Sequence, residues 1–91
     1  MTEKHRYIAQ FSWHQIMGLT KGQKIIDAQG CNWEIISGTR ERGVNDLEFD
    51  VRRDGSPSPE TLNWIGGYIY VFEKGELFIH IHLNHSSARI V

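Results

Sequence analysis

Gly66-Gly67-Tyr68-Ile69-Tyr70-Val71-Phe72-Glu73-Lys74-Gly75-Glu76-Leu77-Phe78-Ile79-His80-Ile81-His82-Leu83-Asn84 decides the fold. Tyr68 to Phe72 and Leu77 to Leu83 are dense in β-branched and aromatic residues. Gly75, between them, supplies the positive φ of a tight turn, so the stretch reads as one long β-hairpin. A two-residue loop at Lys74-Gly75 pairs Phe72 with Leu77, Tyr70 with Ile79, Tyr68 with Ile81 and Gly66 with Leu83. A four-residue loop gives the same pairing. Opposed residues share a face and successive residues alternate faces. The face carrying these pairs is apolar or aromatic and is expected to lie on the core. The other face is split: Ile69, Val71 and Phe78 near the turn, and Gly67, His80, His82 and Asn84 toward the open end. A slip of one residue would reverse the assignment, and the apolar face makes that slip costly.

Outward from the hairpin, the chain divides into short pieces. Tyr7 to Phe11 alternates and suggests a first strand. Ser12-Trp13-His14-Gln15 fits a capping box, with Trp13, Ile16 and Met17 as the inner stripe of a helix ending at Gly18 or soon after. Lys24 to Ala28 and Trp33 to Ser37 read as strands around the turn Gln29-Gly30-Cys31-Asn32. Gly38 to Asn45 is polar and charged and reads as an exposed loop. Leu47 to Arg53 alternates cleanly, with Leu47, Phe49 and Val51 inward. Asp54-Gly55-Ser56-Pro57-Ser58-Pro59 is the strongest breaker, and Ser58 to Thr61 has the form of a single helical turn. Ala88 to Val91 is apolar enough to dock as an edge strand.

The expected fold is therefore mainly β, in the α+β class. It is a small antiparallel barrel or bent sheet of six or seven strands with one short N-terminal helix, all in a single domain over residues 1–91. The order from Leu19 to Arg53 has the rhythm of SH3-like and related small barrels, which many unrelated proteins share.

Composition narrows the function classes. The 91 residues are 40% hydrophobic, enough for a core in so short a chain. Net charge is −1, so no global field draws nucleic acid or acidic membrane. No run of about twenty apolar residues forms a membrane span, and no apolar signal stretch follows the charged start. The single cysteine excludes an intrachain disulfide, and a cytoplasmic location is expected.

Four constellations could carry chemistry. His80 and His82, at i and i+2 on a strand, lie about 6.5 Å apart and can chelate one divalent transition metal. A third ligand is missing unless the chain turns at Asn84 to bring in His85. The competing reading is a pair of half-buried polar side chains at a sheet end. Asp46, Glu48 and Asp50 form a carboxylate row suited to acid–base work, a divalent ion or a basic partner. Alternation with Leu47, Phe49 and Val51 also describes any solvated strand face. Cys31 lacks an adjacent base and does not begin a helix, so nothing marks it as an activated thiol. Trp33, Trp64, Tyr68 and Tyr70, with Arg40, Arg42, Arg52 and Arg53, have the composition of a single-strand nucleic-acid platform. The arginines, however, are interleaved with acids.

The expectation is a small protein-interaction domain without catalytic residues or cofactor: a stoichiometric inhibitor, immunity or accessory protein, as in microbial or phage conflict. The expected contact residues are Arg40, Arg42, Glu60 and Trp64 on or beside two long loops, Gly38 to Asn45 and Asp54 to Asn63, with Asp46, Glu48 and Asp50. The alternative is a metal-binding protein or metal-dependent hydrolase at His80 and His82. The third reading is a nucleic-acid-binding SH3-like or OB-like barrel. An edge-strand homodimer is compatible with all three.

Overall fold

The computed structural model describes residues 11–91. Helix α1, Trp13–Met17, starts where the capping box requires. The Ser12 hydroxyl accepts from the Gln15 N–H at 3.2 Å, and the Gln15 side chain accepts from the Ser12 N–H at 2.8 Å. Seven strands follow: β1 Lys24–Ile26, β2 Asn32–Gly43, β3 Asp46–Arg53, β4 Glu60–Ile65, β5 Tyr68–Glu73, β6 Glu76–Ile79 and β7 Arg89–Ile90. They form one antiparallel sheet in the order β6-β5-β4-β3-β2-β1-β7. Neighbours in the chain pair with each other from β1 to β6. The C-terminal strand returns to the far edge beside β1, as the apolar tail sequence suggests.

One face of this sheet is the core. Ile25, Trp33, Ile35, Leu47, Phe49, Val51, Leu62, Trp64, Ile69 and Val71 are all buried on it, joined by Phe11, Ile16, Leu19, Leu83 and Ala88. The Trp64 indole N–H donates to the Phe11 carbonyl at 3.0 Å, and the Thr39 hydroxyl donates to the Ile16 carbonyl at 2.7 Å. These bonds fasten the helical segment to the sheet. The register of β2 against β3 shifts at three places between Ile35 and Gly43. Such bulges bend a strand and increase its twist. The sheet stays open, with β6 at one edge and β7 at the other. Segment 80–84 links its two sides: His80 N–H donates to Ile69 of β5, and the His82 carbonyl accepts from Ala28, just past β1.

The hairpin register is as expected at Phe72↔Leu77 and Tyr70↔Ile79, but its faces are exchanged. Ile69 and Val71 are buried, whereas Tyr68, Phe72, Leu77, Ile79 and Ile81 are exposed. The reason is β4. Its pairing sets Leu62 beside Val71 and Trp64 beside Ile69. Leu62 and Trp64 in turn lie beside Phe49 and Leu47. Burying Tyr70 and Phe72 instead would break a core continuous across four strands.

Residues 60–65 form this central strand and not a helical turn. Pro59 stands immediately before it, where no ladder bond is needed. The pairing of Tyr68 with Ile81 does not form, because β6 ends at Ile79. Gly38 to Asn45 is likewise no loop. β2 runs through Gly43, and Val44-Asn45 is the whole turn, with Asn45 at φ 52°. Of the N-terminal strand expected over Tyr7 to Phe11, residues 7–10 lie outside the described part, and Phe11 is not in a strand.

Candidate functional site: the outer face of the sheet

The face opposite the core divides into a charged half on β2 and β3 and an apolar half on β5 and β6. Cross-strand pairing builds the charged half. Arg40 lies opposite Glu48, and Ser37 opposite Asp50. Arg40 donates to Asp50 through both terminal nitrogens, at 3.1 and 3.2 Å, and through Nε to Glu48 at 3.0 Å. Ser37 and Thr61 add hydroxyl bonds to Asp50 at 2.6 and 2.8 Å. Arg40 foremost, with Ser37 and Thr61, holds the Asp50 carboxyl down at about 2 despite partial burial. Asp50, and Glu48 after it, push the Arg40 guanidinium up in return. Arg42 also approaches Glu48, at 3.7 Å, and Arg53 approaches Glu60 at 3.5 Å.

Asp46, Glu48 and Asp50 therefore do share a face, as alternation implies, but Glu48 and Asp50 are already neutralised from β2. A carboxylate held near 2 by an arginine is a poor proton acceptor at neutral pH. Trp64, expected at a contact surface, is buried and bonded to Phe11. Arg40, Arg42 and Glu60 are accessible in ion pairs on strands β2 and β4, instead of on loops.

Asn63 separates the two halves. It lies opposite Glu48 on one side and Tyr70 on the other. It is only 4% exposed, and its side-chain Nδ2 has no partner among the described residues. Beyond it the surface becomes apolar: half-buried Ile65 and Tyr70, then exposed Tyr68, Phe72, Leu77 and Ile79. The hairpin's aromatic pattern is the signal for this surface. Which way it faces is not written in it.

The histidine end belongs to the inner side and is tied into the fold. The His80 ring stands edge-on to buried Trp33 at 5.0 Å and to His82 at 5.9 Å. Its Nδ1 accepts the Leu83 N–H at 3.1 Å. Burial pushes the His80 pKa down, against the pull of Asp27. Asp27, though buried, has its carboxyl lowered by the Trp33 indole N–H at 2.9 Å and the N–H groups of Cys31 and Gln29. His85 turns to Ser87, whose N–H and hydroxyl lie 3.1 and 2.9 Å from its Nδ1. Among the described residues, no three His, Cys, Asp or Glu side chains converge as ligands.

Burial and neighbouring Asp27 push the Cys31 thiol up, away from the thiolate. Of the aromatic and basic set, Trp33 is buried under the Arg53 guanidinium at 5.1 Å, and Tyr68 is exposed. No helix among the described residues is long and apolar enough to cross a membrane.

No protein-family model matches this chain, and neither a curated protein nor a solved structure matches it.

Proposed function

We propose that this chain is a protein-binding module that acts by docking, without chemistry of its own, through the outer face of β4, β5 and β6. The observation that carries this reading is the apolar surface of Tyr68, Phe72, Leu77 and Ile79, residues that are 36–60% exposed. By residue size this is roughly 400 Å², the scale at which an apolar patch on a monomer is often functional. It also fills about half of one side of a standard protein interface. Aromatic residues at the centre with charges at the rim is the anatomy of such interfaces. Arg40, Arg42, Asp46, Glu48 and Asp50 supply that rim. Binding that masks a partner's surface is how a domain this small acts as an inhibitor, immunity or accessory protein.

The test is affinity capture from the source cells, followed by measured affinity for the partner with Phe72→Ser and Glu34→Ala. Phe72 is 60% exposed, so its replacement leaves the fold intact. It is expected to weaken binding more than about tenfold, as loss of a central aromatic contact does. Glu34, exposed on the interior strand β2 away from the patch, is expected to change little. Equal affinity for parent and Phe72→Ser would exclude this face. A second reading, metal binding, draws on the closeness of the His80 and His82 rings. Stoichiometric metal in protein purified without a histidine tag, lost in a His80→Ala/His82→Ala variant, would favour it.

A further inference from the structure

We propose that a second copy of this chain pairs with the β6 edge, antiparallel about a two-fold axis at Phe78. All four residues of β6 are exposed, and among the described residues no strand lies beyond it. Leu77 and Ile79 face outward, while Phe78 faces the inner side opposite Val71. A flat protein surface covers one of those faces. A strand laid along the edge covers the flank of both.

The backbone agrees. His80 N–H donates to the carbonyl of Ile69, its opposite residue. By the alternation of an antiparallel ladder, Phe78 and Glu76 also bond to β5, and the N–H and C=O groups of Leu77 and Ile79 point to the open edge. Those outward positions carry neither charge nor proline, the usual protections of an edge strand.

The occupant follows from symmetry and charge. Pairing about Phe78 sets Leu77 of one copy opposite Ile79 of the other, so the outward groups of each copy satisfy those of its twin. Glu76 then meets His80 of the second copy and not a second carboxylate. A parallel arrangement would set Glu76 beside Glu76. Pairing of β6 with the opposite edge, β7, would build an open filament, and β7 has only two residues. An edge of four residues covers less than the roughly 800 Å² per partner of a standard interface. Association is therefore expected in the micromolar range or weaker. The dimer joins two hairpins into one broader apolar outer face.

Sedimentation equilibrium of the full chain, from low micromolar to millimolar concentration, tests this. The parent is expected to pass from 10.5 kDa to twice that mass. Leu77→Pro removes an outward N–H that the internal ladder does not use, and is expected to weaken association more than about tenfold. Ile79→Lys, which charges the edge, serves if the proline variant does not fold by circular dichroism. Phe72→Ser alters the outer face but no edge group, and is expected to dimerise like the parent. A parent that stays monomeric at millimolar concentration overturns the proposal and leaves the edge to a strand from another protein. A dimer that persists unchanged in the edge variants overturns it too.

Discussion

Asn84 shows what one side chain does in this fold. Its Oδ1 accepts the Ile69 N–H at 2.8 Å, and its Nδ2 donates to the carbonyls of Ile69 at 2.8 Å and His80 at 2.7 Å. A primary amide offers the same donor and acceptor as a peptide group. Asn84 therefore takes the place of a ladder rung between Ile69 and His80, and the hairpin ends there. The residue is 1% exposed, so no water replaces these bonds. Asn84→Ala is expected to lower stability by about 1–3 kcal/mol, because the buried Ile69 N–H loses its partner, while the Ile69 and His80 carbonyls keep the backbone N–H groups of His80 and Asn84. Denaturant unfolding measures it, and a loss under about 0.5 kcal/mol would refute the rung. Strand alternation sets Asn84 on the same face as His82, and nothing local reveals that its amide reaches back to Ile69.

At the scale of elements, the hairpin separates pairing from facing. Turn chemistry settles the pairing: Lys74 at φ 52° and Gly75 at φ 81° form the two-residue loop that sets Phe72 against Leu77. Facing is settled by the neighbouring strand. Ile69, 1% exposed, and Ile81, 42% exposed, measure the difference. Ile69→Ala is expected to cost about 2–5 kcal/mol, and Ile81→Ala under about 1 kcal/mol. Equal losses in urea unfolding would mean that the two faces had been assigned wrongly. The same neighbour accounts for β4, which hides in a stretch beginning Ser-Pro-Glu-Thr. Leu62 and Trp64 alternate there with Thr61 and Asn63, but the run is short and its β character weak until β3 and β5 flank it.

At the scale of the whole molecule, a histidine just past β6 and a carboxylate on the central strand β3 make stability fall with acid. His80, with its pKa lowered below 6.5 in the fold, takes a proton more readily when unfolded. Its contribution is complete above 6.5 and declines as pH falls below that value. Asp50, at about 2 against 3.8, contributes fully above 3.8 and loses its share as pH falls toward 2. The Asp50 share is at most about 2 kcal/mol, and less after solvent screening of half-exposed Arg40. Thermal melts across this range should give a plateau above 6.5, a first decline below it and a second below 3.8. In His80→Gln the first decline should shrink, and in Asp50→Asn the second. An unchanged profile in both variants would mean that other groups govern acid stability.

Local rules were sufficient for much of this protein. The Ser12 and Gln15 capping box, the turn at Lys74-Gly75, and the alternation of Leu47, Phe49 and Val51 each depend on residues within a few positions. All are present where the sequence sets them, whereas Gly66-Gly67, read as part of the hairpin strand, is the turn between β4 and β5. The mainly β character and the one short helix follow from the same rules, but β4 does not. The candidate site was less legible: the carboxylate row was visible in Asp46, Glu48 and Asp50, but its neutralisation by Arg40 was not. Nor was the burial of Trp64, the insertion of Asn84, or the outward turn of Tyr68, Phe72, Leu77 and Ile79. A hairpin apolar on both faces has two nearly equal ways to lie. Only the requirement that Ile69 and Val71 continue the core of Leu62, Trp64, Leu47 and Phe49 chooses between them, and that is a contact with strands outside the hairpin.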